Sequence, residues 1–259
     1  MSTVPTRGSG IAFGVDIGGS GIKGAPVDLA TGEFAAERVR IETPQPATPS
    51  AVAAAVAEVV DAFELSPGLP IGVTFPAVIQ HGIARTASNV DRSWIGTNAD
   101  QVFAAASGHR VLTVNDADAA GYAETVYGAA RGRGGTVVVI TLGTGIGTAL
   151  MVDGTLVPNT ELGHLEIDGY DAEDRAADSA RERENLDWAQ WAARLQRYFR
   201  AVEDLLWPDL IVVGGGVSKH HELFLPLLDL RTPIVPATLR NAAGIVGAAA
   251  LAARGIPAD

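Results

Sequence analysis

The chain of 259 residues contains no cysteine, and positive charge is scarce in it. Without cysteine there are no disulfide bonds and no thiolate metal sites, which is typical of a reducing compartment such as the cytoplasm. Only 19 lysines and arginines stand against 30 acidic residues, so the net charge is −11. General nucleic-acid binding needs a basic surface, and this charge balance therefore argues against that class.

Long apolar runs are also missing. No uncharged apolar run approaches the roughly 20 residues that a membrane-spanning helix needs, and the first ten residues lack the apolar core of a signal peptide. We therefore expect no membrane association. The 47% apolar and 19% charged content predicts an ordinary globular protein with one large domain or two modest ones.

The chain does contain the same arrangement of predicted elements twice. A buried strand at 11–17 enters a glycine-rich turn, returns as a second strand at 22–27 and continues as a third at 34–41; a helix at 50–64 and a strand at 71–75 follow. A strand at 136–142 starts the second round with another glycine-rich turn, and helices at 188–206, 218–228 and 241–253 follow later. Two such halves predict a duplicated α/β fold.

A strand at 111–114 ends between these halves at Asn115 and Asp116 and runs into an alanine-rich helix. Open α/β sheets place their ligands at the carboxyl ends of strands. Asp116 is therefore a candidate general base, and Asn115 a candidate hydrogen-bond partner of a substrate hydroxyl. The alternative is that both residues only cap the helix, because Asn and Asp are favoured at that position.

The two glycine-rich turns have the composition of phosphate sites. Glycine lets backbone N–H groups approach phosphate oxygens, and Asp16 at its strand end suits Mg²⁺ or a water bound to it. Tight turns use glycine in any case, and neither turn is a Walker A loop or a dinucleotide fingerprint. Two of them flanking Asn115 and Asp116 nevertheless predict a phosphate clamp. The candidate residues are Asp16, Gly18, Gly19, Ser20, Gly21, Lys23, Thr141, Gly143, Thr144 and Gly145.

Two further motifs complete the set. Glu161 and His164 lie three residues apart, so both could reach one polyhydroxylated ligand, although a lone Glu or His is usually a surface residue. Residues 213–218 form a strand end that opens a helix, which suits a nucleotide or a phosphate chain. This motif adds Gly215, Gly216 and Lys219 to the donor-binding candidates.

Together these motifs resemble the sugar-kinase/actin/heat-shock ATPase superfold and, within it, the ROK family of sugar kinases, over nearly all of residues 11–254. Residues 161–164 are similar to the family's sugar-binding sequence, the most specific of the motifs. Residues 16–23 and 143–147 look like its phosphate motifs, 115–116 like its catalytic connection and 214–218 like its adenosine motif. Residues 86–97 and 141–150 resemble more narrowly the actinobacterial members that phosphorylate glucose or mannose from polyphosphate.

The resemblance implies a ribonuclease-H-like (actin-like ATPase) fold with two domains around a central cleft, one of residues 1–114 and 241–259 and the other of 115–240. It implies a Mg²⁺-dependent glucokinase that transfers a phosphoryl group from polyphosphate or ATP to the 6-hydroxyl of glucose, and possible use of mannose. The sugar contacts would be Asn89, Asn115, Asp116, Glu161 and His164. Alternatives are an ATP-only ROK hexokinase or N-acylhexosamine kinase and, more remotely, a sugar-sensing regulator, which needs a DNA-binding segment before Ile11.

One departure concerns metal. Most ROK proteins follow the sugar-binding histidine with a zinc site built from cysteines, and this chain has no cysteine. We therefore expect no zinc and a sugar role alone for His164. The family's further sugar-contacting glutamate stays open among Glu166, Glu182 and Glu184. The remaining expectations are a cytoplasmic homodimer and no nucleic-acid or membrane partner.

The position of each cation relative to the strand ends decides whether it could bind polyphosphate. Arg92, Lys219, His220 and His221 follow strands and lie at the favourable edge, whereas Arg131 and Arg133 precede a strand and lie at the opposite edge. Arg92 is therefore the polyphosphate candidate. Arg175, Arg181 and Arg183 stand where relatives have the zinc loop, and neighbouring acidic residues could instead pair with them on a solvated face.

Overall fold

The computed structural model describes residues 2–3 and 10–255. The parts of the predicted first domain at residues 1, 4–9 and 256–259 lie outside the described residues. The strands are β1 (Ser2–Thr3), β2 (Ile11–Gly18), β3 (Gly21–Asp28), β4 (Glu33–Phe34), β5 (Val39–Ile41), β6 (Phe63–Glu64), β7 (Ile71–Phe75), β8 (Ile79–Gln80), β9 (Ile83–Ala84), β10 (Val111–Asn115), β11 (Thr136–Leu142), β12 (Ile146–Val152), β13 (Thr155–Val157), β14 (Glu166–Ile167), β15 (Tyr170–Asp171), β16 (Leu210–Gly214) and β17 (Ile234–Pro236). The α-helices are α1 (Pro49–Asp61), α2 (Ala99–Ser107), α3 (Asp116–Val126), α4 (Ala172–Ala176), α5 (Asp178–Arg183), α6 (Trp188–Leu206) and α7 (Ala243–Arg254).

Contacts divide the chain into a first unit, Met1–Ala123 with Ala242–Asp259, and a second unit, Glu124–Asn241. Residues 115–123, which were assigned from sequence to the second domain, lie with the first unit. The reason is the packing of α3 on α7: a Cβ added to Gly247 would lie 1.8 Å from the carbonyl oxygen of Ala119. The two helices therefore touch backbone to backbone.

The first unit contains a sheet in the order β10-β7-β2-β3-β4, with β5 also paired to β3. Strands β10, β7 and β2 are parallel, with Asn115 opposite Phe75 and Asp16 opposite Thr74. The carboxyl ends of these strands therefore share one edge of the sheet. The third strand predicted at 34–41 was wrong as a continuous element. It is the two short strands β4 and β5, because the exposed charged residues Glu37 and Arg38 lie between them, outside the sheet.

Helix α7 packs directly on this sheet because glycines leave room for it. A Cβ on Gly14 would lie 2.0 Å from the carbonyl oxygen of Ile245, and one on Gly72 would lie 1.9 Å from that of Ala248. On its other face the sheet packs on α1, which buries Val52, Val56, Val59 and Val60. Thr48 caps α1 by accepting the N–H of Ala51, and Pro49 is the first helical residue.

The second unit contains a sheet in the order β13-β12-β11-β16-β17. Strands β11, β16 and β17 are parallel, and Thr141 lies opposite Gly214. Helix α6 covers this sheet with one apolar face, which buries Trp191, Leu195, Tyr198, Phe199 and Val202. Each unit thus combines an antiparallel hairpin with parallel strands, and the predicted α/β fold class is confirmed.

The helix predicted at 218–228 was wrong in type. The structure has two 3₁₀ helices there, Gly216–Leu223 and Leu225–Leu227. The backbone leaves helical geometry at His220, and Pro226 lacks the N–H that a continuing α-helix would donate. Of the helices in the described part of the chain, none combines the length and apolar character needed to cross a bilayer.

The close approach of α7 to the sheet makes Gly72 a sensitive position. We expect Gly72→Ala to lower the free energy of unfolding by about 1–3 kcal/mol, because the added methyl group must displace backbone. Urea denaturation measures the change. Gly134→Ala is the matched control: its Cβ would meet only Asp153 at 3.5 Å, and we expect a change within about 0.5 kcal/mol. Equal stability of both variants would contradict the packing described.

Candidate active site

The turn between β2 and β3 leaves two backbone N–H groups available. Gly19 and Ser20 lie at its exposed tip, and their N–H groups donate to no acceptor in the described part of the chain. The carbonyl groups of the turn are occupied: the hydroxyl of Thr43 donates to Gly18, and Nη2 of Arg40 donates to Ser20 at 2.7 Å. The turn is thus held through its carbonyls while its N–H groups can meet an anion.

Asp16 lies where β2 approaches this turn. Its Oδ1 accepts the hydroxyl of the fully buried Thr74 at 2.8 Å, and its Oδ2 lies 3.9 Å from Nζ of Lys23. Mg²⁺ in kinases is held by one or two carboxylates, and water and substrate phosphates complete its ligands. One fixed carboxylate beside a phosphate turn fits that requirement. Across residues 2–3 and 10–255 no group of three or more His, Cys, Asp or Glu side chains could hold a metal ion.

The turn between β11 and β12 has the same character in the second unit. The N–H groups of Thr144 and Gly145 find no acceptor among the residues that the structure describes. The backbone N–H of Ser179 donates to the carbonyl of Gly143 at 3.1 Å, and its hydroxyl donates to that of Thr144 at 2.6 Å. Side chains and backbone from α5 therefore hold the carbonyls of this second turn.

At two positions beside the second turn glycine is required, because a backbone carbonyl oxygen lies too close for a Cβ. A Cβ on Gly215, whose φ is +83°, would lie 2.1 Å from the carbonyl oxygen of Leu142. A Cβ on Gly163 would lie 2.1 Å from that of Ile146. The end of β16 and the 161–164 segment are thus both packed against the strands that flank the second turn, within the second unit.

Glu161 and His164 share a small electrostatic cluster. Nδ1 of His164 lies 2.8 Å from Oδ2 of Asp171, and Nε2 lies 3.8 Å from Oε2 of Glu161. The hydrogen bond to Asp171, and then the charges of Asp171, Glu173 and Glu161, raise the pKa of His164 above its ordinary 6.5. Burial first, and then the charge of Glu173, raises the pKa of Glu161, although His164 opposes the rise.

Glu173 is the member of this cluster that sequence reasoning missed. Its Oε2 accepts the N–H of Ile146 at 2.7 Å, and a Cβ on Gly145 would lie 2.2 Å from the same oxygen. Of the three glutamates left open, Glu182 pairs with Arg181 and Glu184 with Arg194. Glu166 lies exposed on β14 opposite Asp171. The spacing of Glu173 from the glycine turn gives no local pattern, so only the fold could reveal it.

Asn115 and Asp116 lie at the carboxyl end of β10. The side-chain oxygen of Asn115 accepts the N–H groups of Ala117 and Asp118 at 2.9 and 3.1 Å, and its Nδ2 donates to the carbonyl of Ala77. Asn115 is thus buried and caps α3. Asp116 is exposed, and its Oδ1 accepts the N–H of Ala117. The interpretation as a helix cap therefore applies to Asn115. The carboxylate of Asp116 also binds the N–H of Ala117, but it is exposed to solvent as well.

The loop before α2 is anchored by Trp94. Its ring is fully buried against Phe75 and Phe103, and its Nε1 donates to the carbonyl of Ala47 at 3.0 Å. This anchor leaves Asn89 and Arg92 exposed on the loop.

The remaining cations named from the sequence lie in different surroundings within the second unit. Lys219 is exposed in the 3₁₀ helix that follows Gly215 and Gly216. Arg131 and Arg133 are exposed before β11, at the edge opposite the second turn. Arg183 is exposed 3.4 Å from Glu184, as on a solvated, paired face. Arg181 pairs with Asp178 at 2.7 Å but is half-buried over the ring of Trp188, and Arg175 stacks on the ring of Tyr170 at 3.8 Å.

The raised pKa of His164 can be tested by removing its first cause. We expect Asp171→Asn to lower the titration midpoint of His164 in NMR, whereas Asp168→Asn, whose carboxylate pairs with Arg197, leaves it unchanged. Because the folded pKa is raised, the pair stabilises the fold at low pH, and this stabilisation is lost as pH rises through the raised value. An unchanged midpoint in Asp171→Asn would refute the assignment.

Comparisons with known proteins identify the family of the chain. The chain is 54% identical over 238 residues to the polyphosphate glucokinase of Mycobacterium tuberculosis, covering 92% of this chain and 89% of that protein. The structure of the inorganic polyphosphate/ATP-glucomannokinase from Arthrobacter sp. strain KM matches with a TM-score of 0.90 at 57% identity, covering 94% of this chain and 98% of that one. A ROK family glucokinase from Streptomyces griseus, solved in complex with glucose and AMPPNP, shares the fold with a TM-score of 0.79 at 24% identity, over 95% of this chain and 100% of that one. A sequence model of the ROK family matches residues 12–184, and with these identities it shows that the chain belongs to the ROK family.

Proposed function

We propose that this protein is a glucokinase that transfers a phosphoryl group from inorganic polyphosphate, and also from ATP, to the 6-hydroxyl of glucose. The observation that carries the proposal is the 54% identity to a polyphosphate glucokinase over 92% of the chain. Use of mannose is consistent with the name of the Arthrobacter glucomannokinase, to which the chain is 57% identical. A homodimer and a cytoplasmic location remain part of the proposal.

In this mechanism Asp116 accepts the proton of the attacking hydroxyl. A general base must reach the proton that it removes, and an exposed carboxylate at the end of β10 meets that requirement. Asn115 has one Nδ2 hydrogen left after capping α3 and donating to Ala77, and this hydrogen would be its contact to the sugar. Asn89 is a further proposed sugar contact.

The glycine turns stabilise the transferring group. Phosphoryl transfer relies on positioning and on compensation of negative charge, and the N–H groups at the tip of each turn supply partial positive charge without a side chain. Asp16 would hold Mg²⁺, which when bound neutralises charge on the donor phosphates. Gly215, Gly216 and Lys219 would meet the rest of the donor, and Arg92 would add a contact to polyphosphate.

The second unit supplies the other proposed sugar contacts. Glu161 offers an acceptor and His164, in its protonated form, offers a donor for adjacent sugar hydroxyls. We add Glu173 as the third glutamate, in place of Glu166, Glu182 and Glu184. It lies close enough to Glu161 and His164 to shift the pKa of both, and it also holds the N–H of Ile146.

A coupled assay of the purified protein with glucose or mannose, and with polyphosphate or ATP, tests the proposed reaction. We expect turnover of glucose with both donors. Turnover with ATP alone would leave an ATP-dependent ROK sugar kinase.

The role of Asp116 is tested by Asp116→Asn, which keeps the oxygen that accepts the N–H of Ala117 but cannot take a proton. We expect kcat to fall by at least about 10²-fold, the usual scale for a general base, while glucose affinity is nearly kept. Asp61→Asn, an exposed carboxylate at the end of α1, is the control and should behave as the wild type. Normal turnover of Asp116→Asn would reduce Asp116 to a helix cap.

Metal content is the last test of this proposal. We expect far less than one equivalent of zinc by elemental analysis after chelator treatment, and full activity once Mg²⁺ is restored. A stoichiometric zinc requirement would mean a site of His and carboxylate ligands and would overturn the proposed cofactor set.

A further inference from the structure

Arg40 lies directly against the first glycine turn. Strand β5 places it opposite Lys23 on β3, and its Nη2 donates to the carbonyl of Ser20 at 2.7 Å. A Cβ added to Gly21 would lie 2.7 Å from Nε and 2.8 Å from Nη2 of Arg40. The guanidinium group therefore lies directly against Gly21, and a side chain at position 21 would have to displace it.

Arg40 has no acidic partner. It is exposed, and among the described residues no carboxylate oxygen lies within 4.0 Å of its nitrogens. Arg181 and Arg197, by contrast, are held by Asp178 and Asp168 at 2.7 and 2.8 Å. A guanidinium carries five N–H donors in a planar fork, and the structure occupies one of them, at Ser20. The others remain available to an anion.

The first turn thus collects several anion-binding groups. Gly19 and Ser20 contribute free N–H groups, Arg40 contributes a guanidinium, and Lys23 contributes an ammonium that lies 3.9 Å from Asp16. Two cations stand here against one carboxylate, in a chain of net charge −11. Arginine is well suited to bind phosphate oxygens two at a time because its fork matches their geometry.

The two donors differ in the extent of their negative charge. ATP carries three phosphates followed by an uncharged nucleoside, whereas every phosphate unit of polyphosphate carries negative charge. A cation next to the phosphate turn therefore has more charge to bind in polyphosphate. We propose that Arg40 is a donor-selectivity residue that binds phosphoryl groups of polyphosphate adjoining those held at the first turn. This inference rests on the proposed function.

The competing interpretation is that Arg40 only supports the turn through the carbonyl of Ser20. Support of the turn would act on both donors alike and would appear mainly in kcat. Direct binding would act on the KM for polyphosphate and would depend on salt, because added ions screen charge contacts. Arg40→Lys keeps the positive charge but lacks the planar fork of N–H donors. This variant therefore separates the effect of the charge from the effect of the donor geometry.

The experiment compares Arg40→Gln, Arg40→Lys and the matched control Arg38→Gln with both donors over a range of salt concentrations. Arg38 is exposed two residues away, and the structure records no contact between it and the turn. We expect Arg40→Gln to raise the KM for polyphosphate about tenfold or more, the scale of one lost charge-assisted hydrogen bond, with a much smaller rise for ATP. Its KM for polyphosphate should also depend less steeply on salt. Arg40→Lys should lie between the wild type and Arg40→Gln, and Arg38→Gln should match the wild type.

Four outcomes would overturn the inference, and only the last would also overturn the proposed function. An equal change with both donors would make Arg40 a support of the turn, and an effect of Arg38→Gln as large as that of Arg40→Gln would make it one of many unspecific surface charges. Unchanged kinetics of Arg40→Gln with both donors would remove any role and leave the proposed function intact. Absence of polyphosphate turnover in the wild type would instead overturn the proposed function as well, so the two failures are distinguishable. Thermal unfolding of each variant checks that the fold is kept.

Discussion

The N–H groups at the tips of the two glycine turns have no acceptor among residues 2–3 and 10–255, and their surroundings keep them in that state. Thr43 and Arg40 bind the carbonyls of the first turn, and Ser179 binds those of the second. Carbonyl groups that are already bound in this way are not available as acceptors for the N–H groups at the tips. The donors are thus arranged before an anion arrives, which lowers the reorganisation that phosphate binding costs.

The supporting side chains also lie close to glycines other than those at the tips. A Cβ would lie 2.7 Å from Arg40 at Gly21 and 2.2 Å from Glu173 at Gly145, so a larger residue at either position would have to displace the side chain that holds the turn. Glycine therefore serves two purposes here: it allows a close phosphate and a close supporting side chain. Glu173 links the second turn to the 161–164 segment, because the carboxylate that holds the N–H of Ile146 also contributes, after Asp171, to the raised pKa of His164.

The sequence predicts those parts of the structure that depend on neighbouring residues. The strand ends, the glycine turns and the cap of α1 by Thr48 follow from local pattern. The first turn of α2 shows the limit of local pattern: Asn98 caps the helix, whereas Asp100 accepts the N–H of Thr113 on the distant strand β10. Arg40 and Glu173 were missed for the same reason, since their partners Ser20 and Ile146 lie 20 and 27 residues away.

The segment that follows His164 is held by side-chain hydrogen bonds in addition to the burial of Ala172 and Ala176 in the core. Helix α4 is short, and its last carbonyl groups have no partner within the helix. Side chains donate to three of them in succession: Arg183 to Asp174 at 2.8 Å, Arg194 to Arg175 at 3.2 Å and Trp191 to Ala176 at 2.9 Å. Each such bond contributes about 1 kcal/mol. Two of the donors belong to α6, whose apolar face is fixed in the core. The core thereby sets the position of α4 and α5, which in turn carry Glu173 and Ser179 to the second phosphate turn.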